Sequence, residues 1–251
     1  MGMLPPLGAA VLGAMVPALA ALPEGGRAAA EHFTPALGLS APAYASDRSR
    51  SRRFPICWSL TNGGGGPVQY TLEVRRNTNV ATRWRLLVAG TARTCASFRG
   101  RRGLTYLFRV RARDPLGNLS GYAYAETVVP LDERSRRVVF GPGWRRILRK
   151  RAYGRTLTRA SARGREAQVR FRGSSVALIA RRSPRGARLS IALGRRRRVV
   201  SLRGPDRFRR VVFRSRQLRP ARHVLRVVTL DDGIADLDAV GVDTGPAPPP
   251  L

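Results

Sequence analysis

Guanidinium groups are the chemistry this sequence offers most freely. It holds 47 lysines and arginines against 15 acids, a net charge of +32, and Lys150 is its only lysine. The arginines crowd into runs at Arg145 to Arg155, Arg181 to Arg188, Arg195 to Arg198 and Arg207 to Arg216. A guanidinium is a planar fork of donors that meets a carboxylate, sulfate or phosphate through two parallel hydrogen bonds. Within the runs, Arg181, Arg182, Arg185, Arg195, Arg196, Arg197 and Arg198 are the candidate ligand-binding residues. Two readings of the excess stand side by side: a built polyanion site, or a GC-rich genome whose codons favour arginine whatever the function.

Little else in the chain is equipped to turn over a substrate. The histidines are His32 and His223, neither with a visible partner for base or ligand work. No nucleophile-elbow pattern occurs, and no glycine-rich phosphate loop leads into a lysine. Asp231, Asp232, Asp236 and Asp238 form the one acidic cluster of the basic C-terminal half. Asp231, Asp232 and Asp236 could offer oxygens to calcium or neutralise nearby arginines, and their spacing fits no calcium loop. Cys57 and Cys95 are too few for a four-thiolate zinc site; as an even pair they suggest one disulfide and an oxidising compartment. Trp144 and Tyr153 are candidates to stack on sugar, weighed against ordinary core packing. The expectation is a chain with no catalytic residues, no cofactor and no metal beyond those calcium candidates. No helix-turn-helix, zinc finger or RNA-binding pattern is present, so any contact with nucleic acid would be non-specific.

These side chains need a scaffold, and its pattern is strand-like. In Gly103 to Ser120, Tyr106, Phe108, Val110 and Ala112 alternate with Leu107, Arg109, Arg111 and Arg113, one apolar face against one cationic face. Asp114-Pro115 and Gly117-Asn118 close it as a turn. By the same period of two, Phe54, Ile56, Trp58 and Leu60 point inward, as do Tyr70, Leu72 and Val74, then Trp84, Leu86 and Val88, then Ala96 and Phe98. Tyr122 to Val129 supplies a last strand, and Pro130 to Arg137 reads as a polar connection at a domain boundary. Beyond Phe140, seven short apolar runs follow at 167–171, 176–180, 189–193, 199–202, 211–213, 225–227 and 237–242, punctuated by glycine and proline. No convincing amphipathic helix interrupts them, which implies a second all-β sandwich.

The ends differ from this. Met1 to Pro23 carries no charged side chain. It is read as a secretory signal or membrane anchor, with small-residue cleavage sites at Ala18-Leu19-Ala20 and Ala43-Tyr44-Ala45. A disordered Ala/Pro-rich leader stays open, because the basic n-region is missing and Pro5, Pro6 and Pro17 interrupt a helix. Residues 24–50 read as linker, and Pro246 to Leu251 as a proline-rich tail. Charge is uneven: residues 1–40 carry net −1, 41–130 net +11 and 131–251 net +22.

The run Gly103, Thr105-Tyr106, Phe108-Arg109-Val110-Arg111-Ala112, Asp114, Gly117-Asn118 and Ser120 resembles the penultimate strand of fibronectin type III domains in secreted actinobacterial proteins. Trp58 matches the core tryptophan of their second strand. In that family the strands bearing Cys57 and Cys95 are neighbours in one sheet, so the resemblance implies a disulfide between them on the solvent face. The second half is similar to the galactose-binding-like, carbohydrate-binding-module-like jelly rolls that follow such modules. Trp144, Tyr153-Gly154, Phe171-Arg172-Gly173, Val176, Gly186, Val212-Phe213, Leu218, His223 to Val227 and Asp238-Ala239 stand in that pattern's order. One departure is Gly194 followed by Arg195 to Arg198, where those modules place Asp-Gly and an apolar strand.

The expected architecture is therefore all-β: a leader over 1–45, a fibronectin type III or immunoglobulin-like sandwich over 46–130, a jelly roll over 138–243, and a tail over 244–251. The expected role is a non-enzymatic binding, adhesion or spacer module, extracellular or at the cell envelope, docking on anionic polysaccharide or cell-wall polymer. Alternatives are an accessory fragment of a larger secreted enzyme or adhesin, and non-specific nucleic-acid binding through the arginines.

Overall fold

In the computed structural model, which describes residues 36–60, 68–77 and 83–244, the alternating runs become antiparallel strands. The first sandwich comprises β1 (Leu37–Ser40), a one-turn helix α1 (Ala45–Arg48), β2 (Arg53–Leu60), β3 (Gln69–Arg76), β4 (Arg85–Thr91), β5 (Cys95–Arg99), β6 (Leu104–Arg113) and β7 (Ala123–Val129). Sheet β1-β2-β5 packs on sheet β4-β3-β6-β7. Their inner faces are the predicted ones for β2, β3 and β6: Phe54, Ile56, Trp58, Tyr70, Leu72, Val74, Phe108, Val110 and Ala112 are all buried. Phe54, Phe98 and Phe108 meet edge to face, with ring centroids 5.1 to 6.1 Å apart. Cys57 stands opposite Cys95 across β2 and β5, and the two form a disulfide.

Two expectations are corrected here. Residues 36–50 are not linker: β1 pairs with β2, and Tyr44, Ala45 and Ser46 are buried. Four-residue β1 carries too little alternation to stand out beside Pro35 and Pro42. Strand β4 also turns over. Register shifts against β3 set Leu72 opposite Val88 but Glu73 opposite Leu86, so an extra residue is inserted and the side-chain parity flips. Leu87 and Val88 pack on the core, whereas Leu86 is 55 % exposed and Trp84 lies on the outer face. There the guanidiniums of Arg75 and Arg109 sit 4.7 and 4.2 Å from the centroid of Trp84, and Arg109 also lies 4.2 Å from that of Tyr122. Arg109 is fixed in this ladder by Glu73, 2.7 Å from its Nε.

The second sandwich comprises β8 (Leu131–Asp132), β9 (Val138–Phe140), β10 (Arg145–Leu148), β11 (Thr156–Ala160), β12 (Glu166–Gly173), β13 (Ser175–Arg182), β14 (Arg188–Leu193), β15 (Arg196–Ser201), β16 (Arg207–Arg214), β17 (Ala221–Thr229) and β18 (Ala235–Asp243). One sheet runs β10-β11-β18-β13-β16, with β8 added to β18, and the other runs β15-β14-β17-β12-β9. The seven apolar runs are β12 to β18; the short β8 to β11, of which β10 and β11 are interrupted by arginine, escaped the pattern. Phe171, Val176, Leu178, Leu189, Ile191, Leu225, Val227 and Leu237 fill the jelly-roll core. Pro130 to Glu133 is buried rather than a solvated connection.

Both sandwiches belong to one compact unit. Tyr44, Val128, Tyr153, Ala177, Ile179 and Ala239 make an apolar seam joining the first sandwich to β13 and β18. Gly241 lies so close to the Tyr44 ring that any Cβ there would collide with it. Arg214 Nε donates to the Tyr44 hydroxyl at 2.9 Å, Arg209 Nη1 to the Ser46 carbonyl at 2.9 Å, and the Thr105 hydroxyl to Asp243 at 3.1 Å. Beside the seam lie three buried carboxyls. Arg134 grips Asp132 at 2.8 and 2.9 Å, the Thr156 hydroxyl donates to Glu133 at 2.6 Å, and the Tyr153 amide donates to Asp238 Oδ1 at 2.9 Å. Glu133 Oε2 and Asp238 Oδ2 are buried with no partner. Burial would raise Asp132, but the Arg134 fork, the Glu133 hydrogen bond, the Arg134 amide and the Arg102 charge together outweigh it and hold that carboxyl low. Burial, then the adjoining Asp132, pushes Glu133 up. Burial pushes Asp238 up to about 8. Nearby, burial pushes Glu126 up to about 7.

The leader over 1–35, including His32, and the tail from residue 245 lie outside the described residues. Among the described residues no helix is long and apolar enough to cross a membrane.

Candidate functional site

Where two sheets of a sandwich part at their edges, the last strand of each can frame a groove. In the second sandwich those strands are β15 and β16. Strand β14 turns into β15 through Gly194, whose φ of +59° is the left-handed region that glycine enters without strain. The hairpin register then sets Leu193 opposite Arg196, Ala192 opposite Arg197 and Ile191 opposite Arg198.

The result is an open groove of about 540 Å³ lined by Ile191 and Leu193, by Arg196, Arg197 and Arg198, by Phe213 and Arg214, and by Ser215, Arg216 and Leu218. Its floor is apolar and its rim is guanidinium. Arg196, Arg197, Arg198 and Arg216 are exposed, and among the described residues none of them pairs with a carboxylate. Arg214 is held by Tyr44, which fixes one wall. Like charges gathered this closely repel one another, and a multivalent anion relieves that repulsion while its carboxylates, sulfates or phosphates take bidentate bonds. The volume suits a short oligomer segment rather than a broad macromolecular face.

Other candidates fall elsewhere. Arg195 is exposed at the hairpin tip beside the groove, and Arg182 and Arg185 are exposed on and after β13, outside its lining. Arg181 is withdrawn as a ligand-binding residue: its Nε donates to Asp206 at 2.6 Å and its Nη1 to Asp236 at 3.0 Å, so its fork is already used. Tyr153 is withdrawn as well, because it is 0 % exposed in the seam and offers no ring face to a sugar. Trp144 is half-buried, 5.2 Å from Phe140 and packed on the jelly-roll core. His223 Nε2 lies 2.9 Å from the Arg219 carbonyl, and its ring packs on Phe171.

The acidic residues are likewise claimed by arginines. Asp236 is buried under a two-bond fork from Arg159, at 2.7 and 2.8 Å. Asp231 accepts from Arg188, and Asp232 accepts the Arg163 amide at 2.9 Å. Asp231, Asp232 and Asp236 thus face separate partners, and among the described residues no group of three metal-ligating side chains converges. Of the groove residues, Arg214 and Arg216 belong to the Arg207 to Arg216 run without being among the candidate ligand-binding residues, and Phe213 and Leu218 are not among those candidates either. They come from a different sheet, and only the closure of the sandwich brings β16 beside β15.

No protein-family model matches the chain, and no curated protein matches it. Among solved structures it is similar to the CBM35 from Cellvibrio japonicus Abf62, at 15 % identity over 47 % of this chain and 94 % of that one, with a TM-score of 0.37. It is similar to a family 35 carbohydrate binding module from Clostridium thermocellum, at 12 % identity over 45 % of this chain and 96 % of that one, with a TM-score of 0.35. A longer stretch, 84 % of this chain, is similar to 28 % of an α-L-rhamnosidase from Dictyoglumus thermophilum, at 11 % identity and a TM-score of 0.40.

Proposed function

We propose that this chain is a non-catalytic, extracellular binding module whose second sandwich docks on anionic glycopolymer through the β15–β16 groove. The observation that carries the reading is the rim of five arginines, Arg196, Arg197, Arg198, Arg214 and Arg216, around an apolar floor. A guanidinium rim binds acidic groups, and an apolar floor takes the C–H faces of sugar rings, so an acidic glycan satisfies both. The first sandwich, three strands on four with the Cys57–Cys95 disulfide, supports a fibronectin type III-like module outside the cytosol.

The test is binding of the full chain to polygalacturonate, neutral dextran and duplex DNA across a salt series, with Arg196→Ser/Arg197→Ser/Arg198→Ser as the variant. Losing three charge-assisted contacts, discounted for solvent exposure, costs about 2 kcal/mol, or roughly thirtyfold in polygalacturonate affinity. Dextran binding stays absent. Equal binding to polygalacturonate and DNA that vanishes together as salt rises, and is indifferent to the variant, means bulk charge and refutes the site.

A further inference from the structure

The first sandwich repeats the same construction with different residues. Its sheets part between edge strands β4 and β5. At one end of that opening lies a groove of about 480 Å³, lined by Val74, Phe98 and Tyr106 and by Arg75, Arg76, Arg83, Arg85, Arg99 and Arg101. These arginines are scattered along the sequence and form no run; Arg85 and Arg99 lie at strand ends of β4 and β5, and Arg83 and Arg101 in the segments beside them. Arg83, Arg85, Arg99 and Arg101 are exposed, and among the described residues none of the four pairs with a carboxylate.

An arginine on an edge strand blunts edge-to-edge pairing, and that alone accounts for Arg85. It does not account for six arginines from β3, β4, β5 and the segments beside them converging on one concavity. We propose that this groove is a second anion-binding site, specific for a single chain of carboxylate- or sulfate-bearing polysaccharide.

The geometry favours acidic sugar over nucleic acid. Single-stranded nucleic acid is held by bases stacked on open aromatic faces. Here Phe98 and Tyr106 are only 5 and 6 % exposed beneath the rim, and Trp84 is already covered by guanidiniums. A concavity of this volume admits a single chain segment but not a duplex. The site stands independently of the β15–β16 groove, so the two can fail separately.

The experiment is titration of the full chain with a uronate hexasaccharide and a sulfated hexasaccharide, reading stoichiometry and affinity at fixed salt. The expected result is two equivalents per chain. Arg83→Ser/Arg85→Ser/Arg99→Ser/Arg101→Ser removes one equivalent, Arg196→Ser/Arg197→Ser/Arg198→Ser removes the other, and the combined variant binds neither. A control, Arg136→Ser/Arg170→Ser/Arg172→Ser/Arg222→Ser, removes the same charge from exposed positions outside both grooves and leaves stoichiometry intact, with affinity within threefold.

One equivalent that is lost only with Arg196 to Arg198 overturns this second site and leaves the first standing. One lost only with the Arg83 to Arg101 set does the reverse. A control as damaging as the groove variant overturns the site in favour of bulk charge. Oligothymidylate that displaces both hexasaccharides from the Arg83 to Arg101 groove with higher affinity overturns the assignment to polysaccharide. The substituted side chains are exposed, and a melting temperature within a few degrees of the parent shows that the fold is intact.

Discussion

Replacing Asp238 by asparagine tests whether a buried carboxyl beside the seam weakens the fold at neutral pH. Asp238 accepts the Tyr153 amide through Oδ1, while Oδ2 is buried with no partner. Its midpoint is raised from 3.8 to about 8, chiefly by burial. In the unfolded chain the proton leaves near 3.8, so between pH 5 and 8 the folded state holds a proton that the unfolded state has lost. Stability therefore falls as pH rises through that window, by up to about 1.4 kcal/mol per pH unit for one such group. Over pH 5 to 8 the limit is about 4 kcal/mol, which local relaxation around the ionised form reduces to about 2 kcal/mol. Asparagine keeps the acceptor for Tyr153 and never ionises. At roughly 2–4 °C per kcal/mol for a domain of this size, Asp238→Asn raises the melting temperature by about 4–8 °C at pH 8 and changes it little at pH 5. The assay is thermal unfolding followed by circular dichroism at half-unit pH steps. A variant profile parallel to the parent's, whether shifted or not, refutes the reasoning. Glu133 and Glu126, also raised by burial, leave a shallower slope of the same sign in the variant.

Two further outcomes follow from packing and covalent linkage. Cys57→Ala/Cys95→Ala opens a loop spanning 38 residues and lowers stability by about 2–4 kcal/mol, measured by urea unfolding; the parent in reductant matches the variant. An unchanged midpoint in both would show that the bridge constrains nothing. Gly241→Ala drives a methyl into the Tyr44 ring and costs about 1–3 kcal/mol, read by melting temperature, and pairing it with Tyr44→Ala recovers part of that overpacking cost. Equal losses in the two backgrounds would mean that the ring is not what Gly241 accommodates.

Strand identity was legible wherever apolar residues alternate for long enough to set a face. Tyr106 to Ala112 and Phe54 to Trp58 declared their strand and its inner side, because every second residue is apolar, although Leu107, read on the outward face, is buried as well. The parity of β4 was not legible: Trp84, Leu86 and Val88 obey a period of two, yet a bulge against β3 reassigns the inside to Leu87 and Val88. A bulge belongs to the pairing of two strands and leaves no mark on one. Strands β8 to β11 were hidden because they are only two to five residues long, and in β10 and β11 arginine also occupies positions where such lengths offer no redundancy, as in Arg145–Leu148. The anion-binding reading divides along the same line. Arg196 to Arg198 could be seen because they are contiguous, whereas Arg75, Arg76, Arg83, Arg85, Arg99 and Arg101 become a group only when β3, β4 and β5 are folded together. Arg181, equally conspicuous in sequence, proves to be spent on Asp206 and Asp236.

The stack of Arg75, Trp84, Arg109 and Tyr122 on the outer face of the first sandwich has an optical consequence. Indole emission follows the electric field across the ring, and here that field is set by two guanidiniums within 5 Å of its centroid. Arg109 is anchored by Glu73, but Arg75 also lines the groove beside β4. An anion seated there competes with the indole for the same guanidinium. Trp58 sits in the apolar core and Trp144 packs on Phe140, so neither lines that groove. Trp84 is thus a built-in fluorophore wired through one side chain to the groove, and its emission registers occupancy without any label.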